Sequence, residues 1–507
     1  VRRPGLSAAT LAVLGKPWFA TLALAVPFAV FAARAATEPV DDPDVWWIGA
    51  AGRDFLASLE IPRQNFYSFT SPAHPWVMHE LAFGILNALG LAALGPAFLP
   101  LASLLCGAAV VVIAATATTQ RSRHPASSVL ALLLLLAGSR QALFSPRPSH
   151  FALLLPVAMA ALAFCPGWSR RRATAVIALE WLWANAHGSF ALGVAILAVA
   201  AFDAEAAIRS RPQRLCTAAL AAAVTLINPY GSRLHGLVRG YLGGGEATAV
   251  AIHRHIVEFF PIWRSSAPFV NPFNVTALAV ISSLAASALL RRRNLARACL
   301  SLALVGLSAY QARHTTLAVI VGAVLMHAEL DDLCAEAGAP SVLPWPRAWA
   351  ALFVAPGVAL AIGLWWHADR HRDWVEWISP EIGDSGFVRL IAELPTGASV
   401  YAPFQSSGLL LWLAAPRGVR VFFDSRNDCY DAEIAEAAFA LEREEPTGVA
   451  TAVLDRYATA FALVPKSHPV YRALAADAGW SVWRNDGRWT GFERKRTPAI
   501  EMRQGTL

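Results

Sequence analysis

Apolar runs close to bilayer-spanning length recur along this chain, with short clusters of arginine between them. Residues 17–35, 97–117, 187–202, 272–290 and 348–366 each approach the roughly 20 residues that cross the hydrocarbon core. Shorter or interrupted runs lie at 127–144, 149–165, 173–186, 215–230, 297–312 and 314–328. Soluble domains carry about 25% charged residues, whereas this chain carries 15% and is 56% hydrophobic. Lipid offers the backbone no hydrogen-bond partners, so the spans must be helices. The reading is a mainly α, polytopic membrane protein with about eleven transmembrane helices, counting one per run.

The basic residues orient it, because cytoplasmic loops are enriched in Lys and Arg. Their clusters are Arg2, Arg3 and Lys16; Arg121 and Arg123; Arg170, Arg171 and Arg172; Arg209, Arg211 and Arg214; and Arg291, Arg292, Arg293 and Arg297. With all of them inside, an even number of spans must separate successive clusters. That pairs 17–35 with 97–117 only if 80–94 lies on the outer surface as an amphipathic helix. The first apolar run reads as an uncleaved span rather than a removed leader. The N-terminus is then cytoplasmic, and 348–366 carries the chain outside. The net charge of +7 is spent in these loop clusters, which argues against a nucleic-acid partner. The six cysteines are scattered, with no metal-binding or disulfide spacing.

After residue 370 polar residues rise. Strand-like runs at 398–402, 419–424, 460–465 and 480–484 alternate with helical stretches at 385–394, 406–415, 431–444, 447–457 and 468–478. That alternation predicts an α/β domain. The expected organisation is a transmembrane domain over 1–369, with an outer loop at 37–96, and an extracytoplasmic α/β domain over 370–507. No glycine-rich nucleotide motif occurs. Asp424, Arg426 and Asp428 follow a strand, and a salt-bridged loop that shapes the domain is the simpler account of them.

The orientation gathers most of the unusual polar residues on one face: 37–80, "SPRPSH", "WANAHGS", the 228–263 loop and "YQARHTT". Ionisable residues at a membrane edge are costly and point to function. The candidates are Asp42, Asp44, Trp46, Trp47, His79, Glu80, Arg147, His150, Asn185, His187, Arg313 and His314. Most also have a plain structural reading. The aspartates suit a solvated turn, and the tryptophans an interfacial belt. His79 and Glu80 suit a helix cap. Arg147, between two prolines, suits a headgroup contact. Asn185 and His187 suit a helix break. Glu258 reads first as a loop acid, and Glu180 as a hydrogen-bonding residue between helices.

The first outer loop resembles that of GT-C-type membrane glycosyltransferases, in particular a bacterial group. The resemblance is carried by Asp42, Asp44, Trp46, Trp47, Gly52, Ile61, Pro62, Ser68, Thr70, Pro75, Trp76, His79, Glu80 and Leu81. It continues through "SPRPSH", "LWANAHGSFALG", "INPYG", Arg313 with His314, and "GVRVFFDSRNDCY". More distantly it is similar to protein O-mannosyltransferases and oligosaccharyltransferase catalytic subunits. Three positions depart from the group: Ile48 stands where it has His, Asn65 where it has Asp, and Ala82 where it has Trp.

The resemblance implies transfer of a sugar from a polyprenyl-phosphate carrier to a glycan or protein acceptor on the extracytoplasmic face of the bacterial inner membrane. An acceptor hydroxyl then needs a general base, a role that falls first to Asp44 and next to Asp42. The phosphate needs rigid donors, which Arg147, His150, His187, Arg313 and His314 would supply. Some relatives use a divalent metal, for which Asp42, Asp44, Glu80 and Glu258 carry the right oxygens; others use none, and the sequence does not choose. Two alternatives stand beside the enzyme. One is a GT-C-like scaffold that binds lipid-linked glycan or a partner without chemistry. The other is a transporter, for which midplane polar residues and matched repeats are missing.

Overall fold

A computed structural model of the chain describes residues 8–140, 142–147, 150–165, 167–204, 208–241, 252–265, 270–341, 349–426, 428–443 and 447–495. Arg2, Arg3 and the 496–507 tail lie outside the described residues. The chain forms two compact units. One takes Val1–Val40, Ala93–Val238 and Ile256–Asp373; the other takes Asp41–Ala92, Arg239–His255 and Trp374–Leu507.

Among the described residues four helical stretches are long and apolar enough to cross a membrane: Pro17–Ala35, Leu81–Thr119, Pro272–Leu290 and Trp349–His371. The protein is a multi-pass membrane protein, and these four stretches do not confirm the expected count of about eleven spans. Pro125–Ser139, His150–Ala163, Gly188–Ala200 and Leu295–Tyr310 are apolar helices of only 10–17 residues. At about 1.5 Å per residue each falls short of a core roughly 30 Å thick. A polar break precedes Gly188–Ala200. The chain leaves helical geometry at His187, φ −162° and ψ 142°, between Arg170–Ala186 and Gly188–Phe190. The expected amphipathic helix at 80–94 is also corrected. Leu81–Leu94 has Asn87 as its one polar side chain and continues through a 3-10 turn, Gly95–Ala97, into Phe98–Thr119.

The helical unit is built around Thr315–Glu336, whose residues 317–327 are all buried. This helix is too polar for lipid along its second half, and other helices supply its partners. Asp331 accepts hydrogen bonds from Ser122 Oγ (3.1 Å), Ser127 Oγ (2.7 Å) and the backbone N–H groups of Arg123 (3.1 Å) and His124 (3.0 Å). Glu329 accepts from Ser287 Oγ at 2.8 Å. Arg297 makes a bidentate pair with Asp203 at 3.0 and 2.8 Å, both side chains almost fully buried. Arg214 donates to the carbonyls of Ala163 and Ala200. Two arginines of the topological clusters are thus internal ties. Glu180, expected to hydrogen-bond a neighbouring helix, instead lies buried against Gly193, and neither carboxylate oxygen has a hydrogen-bond partner among the described residues.

The second unit holds a five-stranded sheet: β1 Ser399–Tyr401, β2 Arg420–Val421, β3 Phe461–Pro465, β4 Trp480–Asp486 and β5 Trp489–Arg494. Its order is β2-β1-β3-β5-β4, with β1 parallel to β2 and β3 and the remaining pairs antiparallel. Helices Ser385–Glu393, Phe404–Ala414, Ala432–Leu441, Thr447–Arg456 and Pro469–Ala476 fill the intervals. The strand missing from the sequence reading is β5. Its signal was the Asp486-Gly487 hairpin pair, with Gly487 at φ 58°.

The first loop joins this sheet. Val421 N–H donates to Tyr67 O at 2.9 Å and Phe69 N–H to Val421 O at 3.2 Å, while Thr70 Oγ1 donates to Phe422 O at 2.6 Å. Residues 67–70 therefore continue the sheet beyond β2. The loop's helices, Asp44–Ser58 and Leu81–Leu94, meet where Gly52 faces Gly84. A Cβ at position 52 would sit 2.0 Å from Gly84 O. Gly52→Ala is expected to destabilise this unit by about 1–3 kcal/mol, the usual cost of overpacking, read as a lowered melting temperature in detergent.

Candidate functional site

The acidic turn forms for local reasons. Asp42 Oδ1 accepts the Asp44 N–H at 2.9 Å, an Asx turn that leads the chain into helix. Pro43 cannot donate, and it stands where a helix start needs no donor. Asp44 is the first helical residue, where the positive end of the helix favours negative charge. Trp47, one turn on, donates its Nε1–H to Asp44 Oδ1 at 3.0 Å. Asp42 is buried and its oxygen is occupied as the cap, whereas Asp44 keeps partial exposure. Every residue from 45 to 52 is buried, so the helix under the turn is enclosed on all sides. Trp46 is fully buried, and the Trp47 ring lies 6.3 Å from that of Trp76.

His79 and Glu80 directly precede Leu81–Leu94. His79 Nε2 is 3.9 Å from Glu80 Oε1, and its ring is 6.2 Å from that of Tyr241. Glu80 is buried, and its backbone carbonyl accepts the Gly84 N–H at 2.8 Å.

Behind the loop sits a charged node from the C-terminal segment. Arg426 grips Asp424 through Nε (2.9 Å) and Nη2 (2.7 Å), and Tyr430 OH donates to Asp424 Oδ2 at 2.8 Å. The guanidinium lies 4.9 Å from the Tyr67 ring and 4.8 Å from the Trp76 ring. Tyr67 OH donates to Asp54 Oδ2 at 2.6 Å, and burial, reinforced by Asp54, holds this phenol well above its usual pKa. The salt-bridged-loop account of Asp424 and Arg426 matches this geometry. Burial raises the Asp428 carboxyl above the ordinary range, with His79 opposing.

The remaining candidates belong to the helical unit. His150 begins His150–Ala163, and its N–H donates to Arg147 O at 3.3 Å. Its Nε2 is buried without a hydrogen-bond partner among the described residues. Asn185 Nδ2 donates to Trp181 O (2.8 Å) and Ile227 O (3.1 Å), so it satisfies carbonyls at two helix ends. His187 Nδ1 accepts the Ser189 N–H at 3.1 Å, capping the restart after the break. Arg313 lies 3.3 Å from Glu258 and stacks on Phe259 at 4.6 Å. Ala312 N–H donates to Phe260 O at 2.9 Å, which fixes the two turns together. His314 Nε2 is 3.3 Å from Gln311 Oε1. Among the described residues no group of three or more His, Cys, Asp or Glu is arranged to hold a metal ion.

No protein-family model and no curated protein matches the sequence. Solved structures do align over most of the chain. The archaeal oligosaccharyltransferase AglB from Archaeoglobus fulgidus, in complex with an inhibitory peptide and a dolichol-phosphate, superposes with a TM-score of 0.51 at 12% identity. The match covers 88% of this chain and 69% of AglB. ArnT from Cupriavidus metallidurans, bound to undecaprenyl phosphate, gives 0.52 at 15% identity over 93% of this chain and 97% of its own. Its apo state gives 0.51 at 16%. The fold is GT-C-like. In this GT-C-like chain the first-loop candidates, from Asp42 to Glu80, share a compact unit with the C-terminal sheet, and the other six candidates belong to the helical unit.

Proposed function

We propose that the chain is a membrane glycosyltransferase that moves a sugar from a polyprenyl-phosphate carrier to a glycan or protein acceptor on the extracytoplasmic face of a bacterial inner membrane. The observation that carries this reading is the seat of Asp44: a partly exposed carboxylate held at a helix N-terminus by the Trp47 indole. Both aligned proteins were solved with a polyprenyl phosphate, dolichol-phosphate in AglB and undecaprenyl phosphate in ArnT. In the proposed step Asp44 takes the proton of the acceptor hydroxyl as oxygen attacks the anomeric carbon. The carrier phosphate leaves with the bonding pair. The N-terminus lies in the cytoplasm and the C-terminal segment outside.

The scaffold alternative drew on Ile48 and Asn65. Both are buried in the second unit. Asn65 donates to Cys429 O at 3.0 Å and accepts the Ser68 N–H at 3.2 Å, a packing role. The two departures thus fall on core positions, which favours the enzyme. The test is the lipid-linked glycan profile of cells lacking the protein. One species is expected to accumulate unmodified and to return to normal on complementation; an unaltered profile would remove the reading.

A further inference from the structure

We infer that Gly408 is a positioning residue: it admits the turn of Asp42, Pro43 and Asp44 into contact with the Phe404–Ala414 helix and thereby sets the Asp44 carboxylate. The inference rests on the proposed role of Asp44 and assigns the C-terminal segment a part in the reaction.

The two helices run against each other at paired positions. A Cβ on Gly408 would lie 2.3 Å from Pro43 O and 3.5 Å from Trp46 Cβ. One turn further on, the Trp412 ring stands 3.5 Å from where a Cβ on Gly49 would be. Arg53 then closes the far end, donating from Nη1 to Trp412 O at 2.6 Å with its guanidinium 4.9 Å from the Trp412 ring. The other side of the Asp44–Ser58 helix is held by Asn87, whose Nδ2 donates to Val45 O at 3.0 Å, and by the Gly52–Gly84 crossing. The Asp44–Ser58 helix is therefore held between two walls, and the Gly408 wall meets the turn itself at Pro43 O.

The size of the effect follows from sterics. Carbon–oxygen contacts settle at about 3.3 Å or more, so a methyl at 408 asks Pro43 O to withdraw by about 1 Å. The Asp42 cap and the Trp47–Asp44 hydrogen bond both ride on that peptide. A misplacement of about 1 Å in a catalytic group costs on the order of 10²-fold in rate.

The experiment compares Gly408→Ala with Gly448→Ala, a control site whose added Cβ meets nothing within 4 Å. Three quantities are read in the full chain: hydrogen exchange of peptides covering residues 41–48, binding of undecaprenyl phosphate by native mass spectrometry, and restoration of the glycan product in cells lacking the protein. Gly408→Ala is expected to speed exchange at 41–48, to bind undecaprenyl phosphate as wild type does, and to lower product by about 10²-fold. Gly448→Ala is expected to match wild type throughout. Unchanged exchange at 41–48, or full product from Gly408→Ala, overturns the inference. Asp44→Asn run alongside separates the failures: an inactive Asp44→Asn beside an active Gly408→Ala sinks the seat alone, and an active Asp44→Asn sinks the base. If Gly408→Ala does not fold, Arg53→Lys decides. It loosens the far end of the same contact, so faster exchange confined to 41–58 supports the inference, and unchanged exchange there overturns it.

Discussion

Asp44→Asn is expected to reduce sugar transfer by about 10²–10⁴-fold, the range that general-base catalysis supplies, with the melting curve unchanged. Asparagine keeps the volume and can still accept the Trp47 Nε1–H through its amide oxygen, so the hydrogen bond at 3.0 Å survives while the basic oxygen is lost. The loss should fall on kcat, with KM for the lipid donor near wild type, because the proton is taken only in the transition state. Asp42→Asn is the matched comparison. Its amide oxygen can still cap the Asp44 N–H, so its effect should be much the smaller. The assay is transfer by reconstituted protein, with the donor that the glycan profile identifies. Wild-type turnover by Asp44→Asn would take the base away from this position; equal losses from both variants would mean that the turn acts as one unit.

How much of this was legible beforehand differs by element. The C-terminal strands and helices alternate at the period their apolar residues mark, so four of the five strands are legible; β5 is not, because Gly491, Glu493 and Arg494 dilute its pattern. The acidic turn reads from the sequence as a solvated one, whereas Asp42 is buried with its carboxylate accepting the Asp44 N–H, because the helix that starts at Asp44 carries no periodic signal among its apolar neighbours. The span count was not legible. Positive-inside bookkeeping assumes that basic residues face water, yet Arg297 and Arg214 are buried ties inside the protein; separately, parity between the first two clusters asked for an amphipathic helix at 80–94, where Leu81–Leu94 is apolar. Asn185 and His187 read as polar residues at a break, and both make hydrogen bonds there. Gly408 carried no signal at all: a glycine inside an apolar helical run says nothing about the carbonyl that will press on it from residue 43.

Asp424→Ala and Arg426→Leu are each expected to cost about 3–5 kcal/mol of stability, because removing one member of a buried ion pair leaves the other uncompensated. Neither Asp424 nor Arg426 has measurable side-chain exposure. The double replacement Asp424→Leu with Arg426→Leu should be less damaging than either single one, since no lone charge remains. Arg426→Lys should fall in between: it keeps the charge but not the planar fork that meets both Asp424 oxygens. The reach of the loss distinguishes this node from a local tie. Arg426 also lies against Tyr67 and Trp76 of the first loop, and Asn65 there donates to Cys429 O. Loss of the guanidinium should therefore raise hydrogen exchange in residues 63–76 as well as in 421–430. Thermal melts in detergent with exchange mapped by peptide check both. Faster exchange at 421–430 alone would show that the aromatic contacts carry no load, and that the first loop stands on its backbone pairing with β2.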